Sequence, residues 1–106
     1  MTTPSTNPSA NWPEHLAREF PRGRPDSELG GHDFLDLVEL DACIGGYIGQ
    51  LATGRHLSTA EANRLNEMTI ELEHTLRSLQ GPTADYFQSL LQVANAYTSK
   101  TELSSM

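Results

Sequence analysis

The sequence predicts an all-α fold, a small antiparallel helical hairpin or three-helix bundle with a largely extended or disordered N-terminal tail. Three observations predict it. From about residue 33 onward apolar residues recur at steps of three and four, not two. Helix-start signatures open the periodic stretches, and Gly or Pro closes them. The 106 residues, 37% of them apolar, suffice for one small domain.

Residues 1–30 read as a flexible tail. Five of the six prolines lie there among Ser, Thr, Asn and Gly, and apolar side chains are too sparse for a core. Inside it a short helix is expected over 12–20. Asn11-Trp12-Pro13-Glu14 has the form of a capping box, Trp12, Leu16 and Phe20 recur every four residues, and Pro21 stops the pattern. Two placements stand open for this helix: folded back over its own domain, or laid in a partner's groove.

The helical domain is expected over 31–100. Its first helix, about 33–53, starts at Asp33 as N-cap and carries Phe34, Leu37, Val38, Ile44, Ile48 and Leu51 on one stripe, with Gly54 as the stop. The second, about 58–80, opens on the capping box Ser58-Thr59-Ala60-Glu61 and continues through Leu65, Met68, Leu72, Leu76 and Leu79 to a stop at Gly81. The third, about 82–99, begins with Pro82 in its first turn and carries Phe87, Leu90, Leu91, Ala94 and Tyr97. Residues 101–106 read as a frayed terminus. Two short connections imply antiparallel neighbours, and a unit of about 70 residues is marginal alone, which favours an oligomer or a partner.

Gly45-Gly46-Tyr47-Ile48-Gly49 interrupts the first helical pattern, and each interior glycine costs about 1 kcal/mol relative to Ala. Ala42, Gly45, Gly46 and Gly49 are therefore expected to line a face where a second helix packs closely. A kink, a ligand approach and a short strand are the other readings of this segment.

Charge narrows the partner class. The formal net charge is −7, and six acids with no Lys or Arg fall between Asp26 and Asp41. That balance argues against nucleic acid, whose binding rests on neutralising phosphates with Lys and Arg. No apolar run approaches the roughly 20 residues of a membrane span. Residues 1–10 lack the basic start and apolar run of a secretory leader, and the lone Cys43 offers no internal disulfide, so the expected compartment is the cytoplasm.

No assembled catalytic set is visible: there is no Gly-x-Ser-x-Gly elbow and no glycine-rich phosphate loop. Glu71 and His74 have the Glu-x-x-His spacing of dimetal carboxylate sites, but one pair needs further ligands from other helices or a second copy. No metal and no cofactor is therefore expected, with Glu71 and His74 the weak candidates. Asp33, Asp36, Glu39 and Asp41 suit the positive end of their helix and equally suit a basic partner surface. Trp12, Leu16, Phe20 and Tyr47 are the apolar and aromatic candidates for binding anchors. The expectation is a non-enzymatic protein-binding or regulatory module, in its most concrete form an acidic immunity- or antitoxin-type inhibitor that caps a partner protein. The alternatives are an accessory subunit docking through its tail and, from another class, a dimeric metal-binding helical enzyme using Glu71 and His74.

Overall fold

The computed structural model describes residues 8–104, with side chains from 12 to 98. It is all-α, with no strand among the described residues: α1 (Pro8–Leu16), a 3-10 turn (Asp26–Leu29), α2 (Phe34–Ala52), α3 (Thr59–Leu76) and α4 (Gly81–Ser104). The long helices α2, α3 and α4 pack pairwise, and α4 also meets α1 and the 3-10 turn.

Local chemistry sets the helix starts. Asp33 caps α2 by accepting from the Leu35 N–H at 2.9 Å, and Thr53 followed by Gly54 at φ +88° closes it. The capping box of α3 is complete: the Glu61 N–H donates to Ser58 Oγ at 3.1 Å, and the Ser58 N–H to Glu61 Oε1 at 2.9 Å. The core is built from Leu37, Leu40, Ile44 and Ile48 of α2, Leu65, Met68 and Leu72 of α3, and Phe87, Leu90, Leu91, Val93, Ala94 and Tyr97 of α4. Ile44, Ile48, Leu72, Phe87 and Leu90 have no solvent exposure.

Several boundaries differ from the sequence expectation. α3 ends at Leu76, not near 80, because Ser78 Oγ donates back to the Thr75 carbonyl at 3.0 Å and turns the chain toward Gly81 at φ +61°. α4 runs on to Ser104, past the expected 99, since Lys100, Thr101, Glu102 and Leu103 contain no helix breaker. Residues 105–106 of the expected frayed end lie outside the described residues.

The largest departure is the N-terminal segment. Residues 1–7 lie outside the described residues, but from α1 onward the expected tail is laid on the domain. The short helix starts at Pro8, so Asn11 falls inside it and not at its N-cap position. It ends at Leu16, which turns the packed face from Trp12–Leu16–Phe20 to Trp12 and His15. Leu16 is 61% exposed, and Phe20 reaches the core from the coil that follows. The composition rule failed here because a few aromatic rings supply what apolar density lacks: Phe20 makes edge-to-face contacts with Phe34, Tyr86 and Phe87 at 5.9, 5.1 and 6.0 Å.

The 3-10 turn is stapled to the α3–α4 corner. Glu28 is buried; Arg24 holds its carboxylate with two hydrogen bonds, Nε to Oε1 at 3.0 Å and Nη2 to Oε2 at 2.6 Å. Thr83 Oγ1 donates to Oε1 at 2.9 Å, and the Gln80 N–H donates to the Glu28 carbonyl at 3.0 Å. Two glycines permit the approach. A Cβ on Gly30, which is left-handed at φ +58°, would collide with the Ser78 carbonyl, and one on Gly81 would stand 2.9 Å from the Glu28 carboxylate. α4 has no acid in its own first turn, so Glu28 supplies from outside the negative charge that a helix N-terminus favours. Arg24 foremost, with Thr83, pulls its pKa down to about 2 against the opposing effect of burial.

A carboxylate with a depressed folded pKa stabilises the fold above the unfolded value of 4.5, and that contribution is lost as pH falls toward 2. Glu28→Gln is thus expected to lower the urea midpoint at pH 7, with the gap to wild type closing between pH 4.5 and 2. Equal midpoints at pH 7 would deny the staple.

Candidate functional site

Two clefts flank α2. The first lies between α2 and α3, with a volume of about 340 Å³, and its buried floor is mostly apolar: Leu37 and Leu40 from α2 and Met68 from α3, beside Thr75. Three exposed acids wall it, Asp36 and Glu39 on α2 and Glu71 on α3, with Arg64 and His32 at its edge. Helical spacing explains the arrangement. Positions 36 and 39 are neighbours on one face of α2, and Arg64, Met68, Glu71 and Thr75 recur at steps of three and four along α3. His32 is fixed by a hydrogen bond between Nε2 and Ser78 Oγ at 2.9 Å.

The second cleft, about 280 Å³, lies where α1 crosses α2 and α4 and includes Trp12, His15, Asp41, Gly45, Tyr86 and Leu90. Tyr86 Oη donates to Asp41 Oδ1 at 2.7 Å. Burial raises the Asp41 pKa, an effect the Tyr86 hydrogen bond opposes. The Tyr86 hydroxyl is itself pushed well above its ordinary value by burial and by Asp41.

The four expected acids thus fall to different jobs. Asp36 and Glu39 stand exposed in the first cleft, Asp33 is the N-cap of α2, and Asp41 is engaged by Tyr86 in the second cleft. Of the expected anchors, Trp12, Phe20 and Tyr47 are half-buried against the chain's own core, and Leu16 alone is freely exposed.

The glycine face corrects a further expectation. α2 runs unbroken through Gly45, Gly46 and Gly49, with neither kink nor strand. Among the described residues no second helix backbone approaches it: a Cβ on Gly46 or Gly49 would meet nothing within 4 Å, and Ala42 is exposed. Only Gly45 faces a neighbour, and that neighbour is a side chain, with Trp12 Cη2 3.7 Å from where its Cβ would be. The indole of α1 takes the place expected for a second helix.

Glu71 lines the first cleft, whereas His74 is exposed and not among its lining residues. Among the described residues no three His, Cys, Asp or Glu side chains are grouped so as to hold a metal ion. Cys43 is a free, half-buried thiol packed against the core. No helix among the described residues is long and apolar enough to cross a membrane.

Sequence reading missed Met68 and Arg64 as cleft residues, although their spacing to Glu71 along α3 was visible. It also missed His15 and Glu28, the buried polar residues of the N-terminal segment. Only the Arg24-x-x-x-Glu28 spacing hinted at either. Comparison with protein-family models, with curated proteins and with solved structures returned no match.

With open space around them, Gly46→Ala and Gly49→Ala are each expected to stabilise the fold by up to about 1 kcal/mol, the helix-propensity difference, as read from urea unfolding. A loss of stability at either position would show that another backbone does pack there.

Proposed function

We propose that the chain is a non-enzymatic protein-binding module that engages a basic partner protein through the α2–α3 cleft. One observation carries this reading: Asp36, Glu39 and Glu71 stand exposed around an apolar floor of Leu37, Leu40 and Met68. An apolar centre with a polar rim is the anatomy of a specific interface, and on this rim three acids outnumber the one base, Arg64. The acidic rim speeds encounter with a basic surface and rejects acidic ones. In its most concrete form the module is an immunity- or antitoxin-type inhibitor working in the cytoplasm, its three long helices forming the antiparallel bundle that the short connections imply.

The accessory-subunit reading loses ground on the packing of α1, because Trp12, His15 and Phe20 serve the chain's own core and leave only Leu16 exposed for docking. The metal-enzyme reading would need ligands for Glu71 and His74 from a second copy.

The test is capture by the tagged protein from a lysate of its source cell, comparing wild type with Asp36→Lys/Glu39→Lys. Asp33 and Asp41 are left intact because one caps α2 and the other holds Tyr86. The expected outcome is one stoichiometric partner with basic surface charge, released at high salt, and an affinity about 100-fold weaker for the double variant at unchanged circular dichroism. Equal binding by the variant would remove the electrostatic reading.

A further inference from the structure

His15 is the unusual residue of the second cleft. It is 3% exposed, stacked on Trp12 at 5.8 Å and tilted against Tyr86 at 4.8 Å. Its Nδ1 is hydrogen-bonded with Ser89 Oγ at 2.9 Å. α1 is a nine-residue helix with a proline inside it, too short to persist without packing. The connection that follows it, residues 17–25, is largely exposed and reaches the core through Phe20. α1 is therefore held by its own contacts with α2 and α4, and His15 is central among them.

We propose that α1 is a pH-released latch: protonation of His15 lifts the helix from α2 and α4 and uncovers the surface floored by Gly45, Tyr86 and Leu90. This goes beyond the binding role of the α2–α3 cleft, which α1 does not line.

The charged and titratable surroundings favour the neutral ring. Just past the end of α1, Arg18 lies three residues from His15, and on α1 itself Glu14 is exposed toward solvent. On α2, Asp41 is the carboxylate of this cleft, and its Oδ1 is engaged by Tyr86. On α4, Tyr86 offers a neutral ring, Ser89 a hydroxyl, and Asp85 lies exposed in a neighbouring hollow with Arg18. Burial first, and Arg18 second, hold the His15 pKa below 6.5. A base whose docked pKa is lowered favours docking fully above its free value and loses that contribution as pH falls below it. The docked population is thus intact at pH 8 and declines from about pH 6.5 downward, by up to about tenfold in the docking equilibrium per pH unit.

Trp12 is the single tryptophan, so its emission reports the latch directly in the full-length protein. Between pH 8 and 5, wild type is expected to show a red shift with no more loss of far-UV circular dichroism than the nine residues of α1 carry. His15→Phe should abolish the shift and Asp41→Asn should retain it. A flat wild-type profile, the same transition in His15→Phe, or its loss in Asp41→Asn would each overturn the proposal. Should His15→Phe fail to fold, proton NMR of the wild-type histidines decides. A His15 pKa below 6.5, with Trp12 signals shifting at the same midpoint, supports the latch, and a value at or above 6.5 overturns it.

Discussion

The carboxylate of Glu28 joins parts of the chain that would otherwise have no reason to meet. A charge taken out of water must be matched, and three groups match it: the Arg24 guanidinium, the Thr83 hydroxyl and the positive end of α4. Two glycines permit this fit, because a Cβ on Gly30 would strike the Ser78 carbonyl and one on Gly81 would crowd the Glu28 carboxylate. Once the turn is fixed, the preceding coil can deliver Phe20 to Phe34, Tyr86 and Phe87, and α1 can reach its seat on α2 and α4. Residues 8–29 are thereby part of the domain, with the staple at one end of α4 and His15 on Ser89 further along it.

α2 serves two different surfaces. Its Asp36 and Glu39 face the apolar-floored cleft shared with α3, while its Asp41 and Gly45 face the cleft shared with α1. Asp36 and Asp41 are five positions apart, more than one turn, which carries the second acid round to another side of the helix. One is solvated and open to a partner. The other is bonded to Tyr86, whose ring also meets Phe20, His15 and Phe87.

The helical core was legible because its signals are local. Asp33, the Ser58–Glu61 box, Gly54 and the three-and-four spacing of Leu65, Met68 and Leu72 act within a turn or two of chain, and the structure places each in that role. What was not legible depends on pairs distant in sequence. Composition could not reveal that Glu28 meets Thr83, or that His15 meets Ser89, since neither partner carries a mark of the other. The glycines of α2 misled for a related reason: a small residue signals that something approaches without saying what, and here an indole from α1 takes the room at Gly45 while Gly46 and Gly49 face open space. Acid content alone likewise could not separate the exposed Asp36 and Glu39 from the capping Asp33 and the bonded Asp41.

The distance along the chain between His15 and Ser89, 74 residues, has a consequence for how the molecule comes into being. α1 precedes in the chain both helices that receive it, and α4, which carries Ser89, is the later of the two. Closing a loop of that length carries an entropic cost that local helix formation does not. The order of assembly therefore runs against the order of synthesis. α2 and α3 can pair through a short connection before α4 is made, and until it is made Phe20 lacks the Tyr86 and Phe87 rings and His15 lacks Ser89.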